Sequence, residues 1–269
     1  MAGKAKGVRR SKPRAADLTA DNERLRAEIA ERRKAEALRD EFLSIAAHEL
    51  KTPLTSLRGF AQLLVRQLDK DETPDPMRLR QALSAIDQQS SKLARLVNQL
   101  LDVSRIDAGR LRLERKVADV VGIVEDVVAT ARVNSFRHEF TVRAPSGALA
   151  LVDPLRLEQV FRNLVDNAIK YSPDGGPISI EVDKNREAGV VRVAVTDRGL
   201  GVPPEHRGRI FDRFHQAHPE RAIGGMGLGL YISRQIVELH GGRIEAEYPD
   251  EGGTRLVVTI PSGAVGGRA

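Results

Sequence analysis

Leu43, Ala47, Leu50, Leu54, Leu57, Ala61, Leu64 and Leu68 recur at alternating spacings of four and three. That period belongs to an α-helix with one narrow apolar stripe, because residues three and four apart share a face. The stripe ends at Asp69-Lys-Asp-Glu-Thr-Pro-Asp-Pro76, which reads as a loop. A second helix follows, with Leu79, Leu83, Ile86, Leu93, Val97 and Leu100 at related spacing. Leu96, Leu101 and Val103 widen its stripe, and Gly109 closes it. One helical hairpin cannot cover both stripes, whereas two hairpins packed as a four-helix bundle can. Residues 41–108 are therefore expected to form the hairpin of a homodimer. The charged, helix-favouring segment 17–40 precedes it, with Leu18, Leu25, Ile29 and Leu38 as an imperfect heptad, and reads as a coiled-coil linker.

From Leu111 the texture changes to short strands alternating with helices. Expected strands are Leu111–Glu114, Phe140–Arg143, Ile178–Val182, Val190–Thr196, Arg243–Tyr248 and Arg255–Ile260. Expected helices are Val120–Arg132, Pro154–Tyr171 and Gly227–His240. Residues 109–262 thus form an α/β layer domain, followed by a flexible C-terminus at 263–269. The fold class is multidomain, α and then α+β.

Charge and composition exclude several functions. The net charge of +6 points to nucleic acid only until its distribution is read. Lys4, Lys6, Arg9, Arg10, Lys12 and Arg14 account for all of it, and the remainder is neutral. The basic signal belongs to a disordered tail, residues 1–16, so no nucleic-acid partner is expected. No apolar run approaches the roughly 20 residues of a membrane span, and the basic N-terminus lacks the apolar stretch of a secretory signal. A cytoplasmic location is the expectation. With no cysteine, disulfides, thiolate metal sites and cysteine nucleophiles are excluded.

Four stretches carry chemistry. Asp197-Arg-Gly-Leu-Gly201 follows a strand, and Gly224-Gly-Met-Gly-Leu-Gly-Leu230 opens a helix. Glycines before a helix N-terminus let the backbone approach a phosphate, which the free N–H groups and the helix dipole favour. A plain loop is the alternative for either stretch alone, and no Gly-Lys-Ser/Thr follows to make a Walker A loop. Asn163, Asn167, Lys170 and Tyr171 stand at i, i+4, i+7 and i+8 on one helix face. That face is either solvated surface or a magnesium–phosphate platform, since amide oxygens suit a hard cation that keeps most of its waters. The fourth stretch is Phe42-Leu-Ser-Ile-Ala-Ala-His48-Glu49-Leu-Lys-Thr52-Pro53-Leu54. His48 lies beside the stripe, toward solvent, with Glu49 next to it and Thr52 one turn on. Pro53 removes the N–H that would bond the Glu49 carbonyl and loosens the helix there.

Taken in order, the His48 box, Asn163–Tyr171, Asp197–Gly201, Ile210-Phe-Asp-Arg-Phe214 and Gly225–Leu230 resemble the sensor histidine kinases of two-component systems. The resemblance covers about Glu36 to Pro261. It implies a dimeric four-helix bundle followed by a Bergerat-type α/β sandwich that binds ATP and Mg2+. Gyrase, Hsp90 and MutL ATPases share that second fold but lack the His-bearing hairpin. By resemblance, His48 would attack the γ-phosphorus, Glu49 would hold or take the other ring proton, and Thr52 would orient a water for dephosphorylating the partner. Asp197 would accept from the adenine amino group, while Gly199 and Gly201 shape the pocket. Asn167 would hold magnesium, with Asn163 beside the phosphates, Lys170 neutralising their charge and Tyr171 lining the site. Gly225, Gly227, Leu228 and Gly229 belong to the loop that folds over the phosphates. Where the family often has an aromatic and then an arginine after Phe214, this chain has His215 and Gln216, so help for the γ-phosphate would fall to Arg213 or Arg221, or be weaker. The implied partners are a response regulator receiver domain and an upstream sensor domain or sensor protein. Two alternatives remain: an ATP-binding dimeric scaffold, or a phosphatase-dominant pseudokinase.

Overall fold

The computed structural model describes residues 15–68, 75–185, 187–218 and 225–263. The basic tail, most of the expected loop at 69–76, the segment carrying Arg221 and the last six residues lie outside them. So do the side chains of Leu18, Leu25, Leu38 and Leu68. The chain divides into two compact units after His48.

Helix α1 (Ala15–Leu68) is continuous, with Pro53 inside it. Within the first unit Ile29 is exposed, and Arg32 pairs with Glu28 one turn back at 2.9 Å. His48 is exposed near the end of that unit. In the second unit the remainder of α1 and helix α2 (Pro76–Asp107) make the helical hairpin region. Asp75 caps α2 by accepting from Met77 N at 3.0 Å, with Pro76 pre-set for the first turn. Gly109, at φ 61°, ends it, and Arg110 N donates back to Arg105 O at 2.8 Å. Along the two expected stripes Leu54 (58% exposed), Leu83 and Val97 face solvent in the single chain.

The α/β part opens differently from the expectation. Residues 111–114 are not a strand; the first one, β1, is Lys116–Asp119, paired antiparallel with β3, Leu149–Val152. Leu111 is buried, but Glu114 N donates to Asp153 Oδ2 at 2.9 Å, so a side chain satisfies the backbone where a neighbouring strand would have. The other expected strands appear: β2 (His138–Arg143), β4 (Gly176–Asn185), β5 (Val190–Thr196), β6 (Arg243–Glu247) and β7 (Arg255–Pro261). They form one sheet in the order β2-β4-β5-β7-β6, parallel between β2 and β4 and antiparallel elsewhere.

Alternation sets the two faces of that sheet. Ile178 and Ile180, Val191 and Val193, Val258 and Ile260 point into the core. There they meet helices α3 (Val120–Asn134), α4 (Pro154–Lys170) and α5 (Gly229–Leu239), whose Val124, Val128, Leu157, Phe161, Leu164 and Ile236 are fully buried. The opposite face carries a charged ladder in which Arg255 reaches Glu181 at 2.8 Å and Glu247 at 3.2 Å, and Arg192 reaches Glu247 at 3.2 Å. The result is a two-layer sandwich, helices on one side and a solvated sheet surface on the other.

Two polar clusters join α2 to the sandwich. Asp102, whose side chain is 7% exposed, accepts from Arg156 Nη1 at 2.9 Å and from Gln159 Nε2 at 2.7 Å. Asp107 is gripped by the Arg213 guanidinium, which also bonds the Tyr231 hydroxyl and lies over that ring.

Candidate functional site

Helix α4 begins where its sequence says it should. Asp153 caps it, accepting from Arg156 N at 3.2 Å, and Pro154 occupies the first turn. Apolar residues at 157, 160, 161, 164, 165 and 168 bury one face. The other face is left to Asn163, Asn167 and Lys170, with Tyr171 as the C-cap. All four line a cleft of about 1000 Å³ together with Gly225, Gly227, Leu228 and Gly229. Gly229 is closely packed: a Cβ there would sit 2.1 Å from Asn163 Oδ1, so the Asn163 amide would have to move. Asn163 in turn donates to Ser233 Oγ at 2.9 Å, tying α4 to α5. Lys170 Nζ lies 3.3 Å from the Tyr171 hydroxyl and 3.4 Å from where a Gly225 Cβ would stand. The ammonium and the glycine loop therefore share one end of the cleft. Burial lowers the Lys170 pKa, and the Glu49 carboxylate acts in the opposite direction.

The second lobe, about 520 Å³, is more apolar. Val202, Ile210, Leu230 and Leu256 line it with Gly201, Thr254 and Asp197. Asp197 is 6% exposed. Its Oδ1 accepts from Gly199 N at 2.9 Å and Thr254 N at 3.3 Å, while Oδ2 has no hydrogen-bond partner among the described residues. Burial raises its pKa, and those two backbone bonds pull it back down. One carboxylate oxygen is thus anchored and the other is left for a donor. Gly199 does not line the cleft but backs it: a Cβ would lie 2.1 Å from Tyr171 O. Asn167, Tyr171, Ile210, Leu230 and His215 border both lobes.

Most of the expected nucleotide residues therefore converge. Arg213 does not line the cleft, because its guanidinium is held by Asp107 and Tyr231. Phe214 stands between Arg213 and His215 with a left-handed backbone, φ 62°, and His215 faces the cleft instead. Thr52 is exposed on α1. The sequence reading missed Thr254, Leu256 and Gly253. The Gly-Gly-Thr run before the last strand was the available signal, since a Cβ on Gly253 would meet Asp197 O at 2.0 Å.

Two family models match. The His Kinase A (phospho-acceptor) domain covers residues 38–109, and the histidine kinase-, DNA gyrase B- and HSP90-like ATPase covers 152–264. The chain belongs to the histidine kinase family. The sensor histidine kinase WalK of Bacillus subtilis is 31% identical over 240 residues, which are 87% of this chain and 38% of that protein. The chain thus spans well under half the length of that relative. Among solved structures, the Acinetobacter baumannii histidine kinase AdeS superposes with a TM-score of 0.60 at 26% identity, over 80% of this chain and 98% of its own. The histidine kinase ThkA in complex with the response regulator protein TrrA gives 0.59 at 26% identity, over 88% of this chain and 65% of its own. The chain shares with these proteins a helical hairpin region followed by an α/β ATPase-family sheet. No helix among its described residues is long and apolar enough to cross a membrane.

Proposed function

We propose that this chain is the catalytic part of a histidine kinase that phosphorylates its own His48 from ATP and passes the phosphoryl group to an aspartate of a response regulator receiver domain. The observation that carries the proposal is the graded cleft. An anchored carboxylate stands at its apolar end, and an ammonium, two amides and a glycine loop at the other. Adenine suits the first end and a polyphosphate the second.

In this proposal Asp197 Oδ2 accepts from the adenine amino group, and Gly199 and Gly201 shape that lobe. Asn163, Lys170, Tyr171 and the loop of Gly225, Gly227, Leu228 and Gly229 hold the phosphates. Asn167 fits magnesium, because a single amide oxygen beside phosphate oxygens matches an ion that retains most of its waters. When bound, the ion would neutralise phosphate charge. A His48 ring nitrogen attacks the γ-phosphorus; the P–N bond forms as the bond to the β-phosphate oxygen breaks and ADP leaves. Glu49 takes or holds the proton of the other ring nitrogen. Thr52 orients a water when the partner is dephosphorylated.

The domain scheme that accompanies this is a hairpin at 41–108 and a catalytic domain at 109–262. The partners are a second copy of the chain, a receiver domain and an upstream sensor, and the location is cytoplasmic. The exposed Leu54, Leu83 and Val97 support the homodimer, and the ThkA–TrrA complex supports the receiver-domain partner. Incubation with labelled ATP tests the whole scheme. His48→Gln abolishes the phosphoprotein and leaves ATP affinity intact, and the parent's label is lost in acid and survives base. Acid-labile label on His48→Gln would overturn the proposal.

A further inference from the structure

The cleft is short of positive charge on the sandwich side. Lys170 is the only lysine or arginine there among the described lining residues, and Lys92 and Arg95 face it from α2. Arg213 is occupied by Asp107 and Tyr231. At the junction of the two lobes stands an imidazole, His215.

His215 is held on two sides. Its Nε2 lies 3.2 Å from His206 Nδ1, with the rings 5.0 Å apart. The residues on either side of it are clamped to the glycine loop. Phe214 N donates to Gly227 O at 3.1 Å, and Gln216 Nε2 donates to Gly225 O at 2.6 Å. Gly227, at φ 65°, comes so near that a Cβ would lie 2.6 Å from the Phe214 carbonyl carbon and 2.7 Å from His215 O. His215 Nδ1 has no hydrogen-bond partner among the described residues. The ring is thus fixed through one nitrogen at the lobe junction, with the other nitrogen uncommitted.

Resting on the proposal that ATP fills this cleft, we propose that His215 is a nucleotide-binding residue that contacts the polyphosphate as an imidazolium. Its Nε2–H donates to His206 Nδ1 and its Nδ1–H donates to a phosphate oxygen. With His206 Nδ1 as the acceptor both ring protons are needed. Were His206 Nδ1–H the donor instead, a neutral His215 would make both bonds and binding would take up no proton here. The second proton comes from solvent, so nucleotide binding takes up a proton. Without nucleotide the surroundings favour the neutral ring. Burial comes first, then Arg209 and His206, with Asp212 opposing them. Lys170 of α4 and Lys92 and Arg95 of α2, lining the same cleft, add positive charge, while Tyr171 and His218 border it. A polyanion entering among these groups reverses the balance.

Calorimetry on the full chain at pH 7.5, with ATP and excess magnesium chloride in buffers of different ionisation enthalpy, tests this. The parent takes up a fraction of a proton on binding. His215→Gln weakens ATP binding by on the order of tenfold, as for one charge-assisted hydrogen bond, and reduces the uptake. Adenosine, which carries no phosphate, binds parent and His215→Gln alike and so reports an intact fold. His215→Arg keeps the ATP affinity and takes up no proton at this position. Parent-like ATP affinity and proton uptake in His215→Gln would overturn the inference, as would an equal loss of ATP and adenosine binding. Failure of the parent to bind ATP at all would instead overturn the proposed function.

Discussion

Asp197 is nearly buried, yet its two oxygens do different jobs. Oδ1 is committed to Gly199 and Thr254, and Oδ2 faces the apolar lobe. Asp197→Asn keeps an oxygen for the two backbone donors but turns an N–H toward the lobe, where adenine also brings a donor. ATP affinity measured by calorimetry is expected to fall about 10- to 100-fold, with the fold unchanged. His240 is a second buried polar residue with a fixed assignment. Its Nδ1–H donates to Ile236 O at 2.8 Å, so Nε2 is the lone pair that accepts from Asp153 N at 3.0 Å. Burial lowers its pKa; the Ile236 carbonyl and Asp153 act to raise it, and Arg115 to lower it. Because the folded value lies below the unfolded one of about 6.5, the unfolded chain binds the proton first. This contribution to stability is complete above pH 6.5 and is lost as the pH falls below it. Thermal midpoints measured from pH 8 to 5.5 should drop at the acid end, and His240→Gln should flatten that slope.

At the scale of elements, the glycine boxes were legible because each announces itself within a few residues. The helix expected from Pro154 begins there, whereas α2 begins at Pro76, the last residue of the expected loop. The β1–β3 ribbon was not legible, because its apolar pattern runs backwards. On β3 Leu149 and Leu151 face out while Ala150 and Val152 are buried, and β1 offers only Lys-Val-Ala-Asp. The placing of Arg213 and His215 was not legible for another reason. One left-handed residue, Phe214, decides which of them meets the cleft, and no local preference predicts that backbone for phenylalanine. The Asp102–Arg156–Gln159 cluster was equally hidden, because its members lie 54 and 57 residues apart in the chain. Breaking a buried pair strands a charge. Asp102→Ala is therefore expected to lower the unfolding free energy by about 2 kcal/mol, below the full buried-pair figure because Arg156 is partly exposed. Chemical denaturation measures it, and replacing all three residues by apolar ones of similar size should recover most of the loss.

The whole molecule joins a hairpin whose two stripes face solvent to a sandwich with its own closed core, on which Phe136 and Leu155 also stand exposed. Leu54, Leu83 and Val97 are exposed in a single chain, whereas Leu157, Leu164 and Ile236 are fully buried within it. Self-association should therefore belong to the hairpin and nucleotide binding to the sandwich. Sedimentation of Leu54→Glu is expected to show a shift toward monomer with ATP affinity unchanged; a stable folded parent monomer at micromolar concentration would contradict the homodimer. The cleft itself has a further property. Gly199, Gly229 and Gly253 press so close to their neighbours that even a methyl group would collide. Behind Asp197 the packing is consequently main chain against main chain, Gly199 on Tyr171 O and Gly253 on Asp197 O, which leaves those two positions no room for a side chain. An inhibitor that fills the lobe those two glycines hold in shape would meet few single codon changes by which to be escaped.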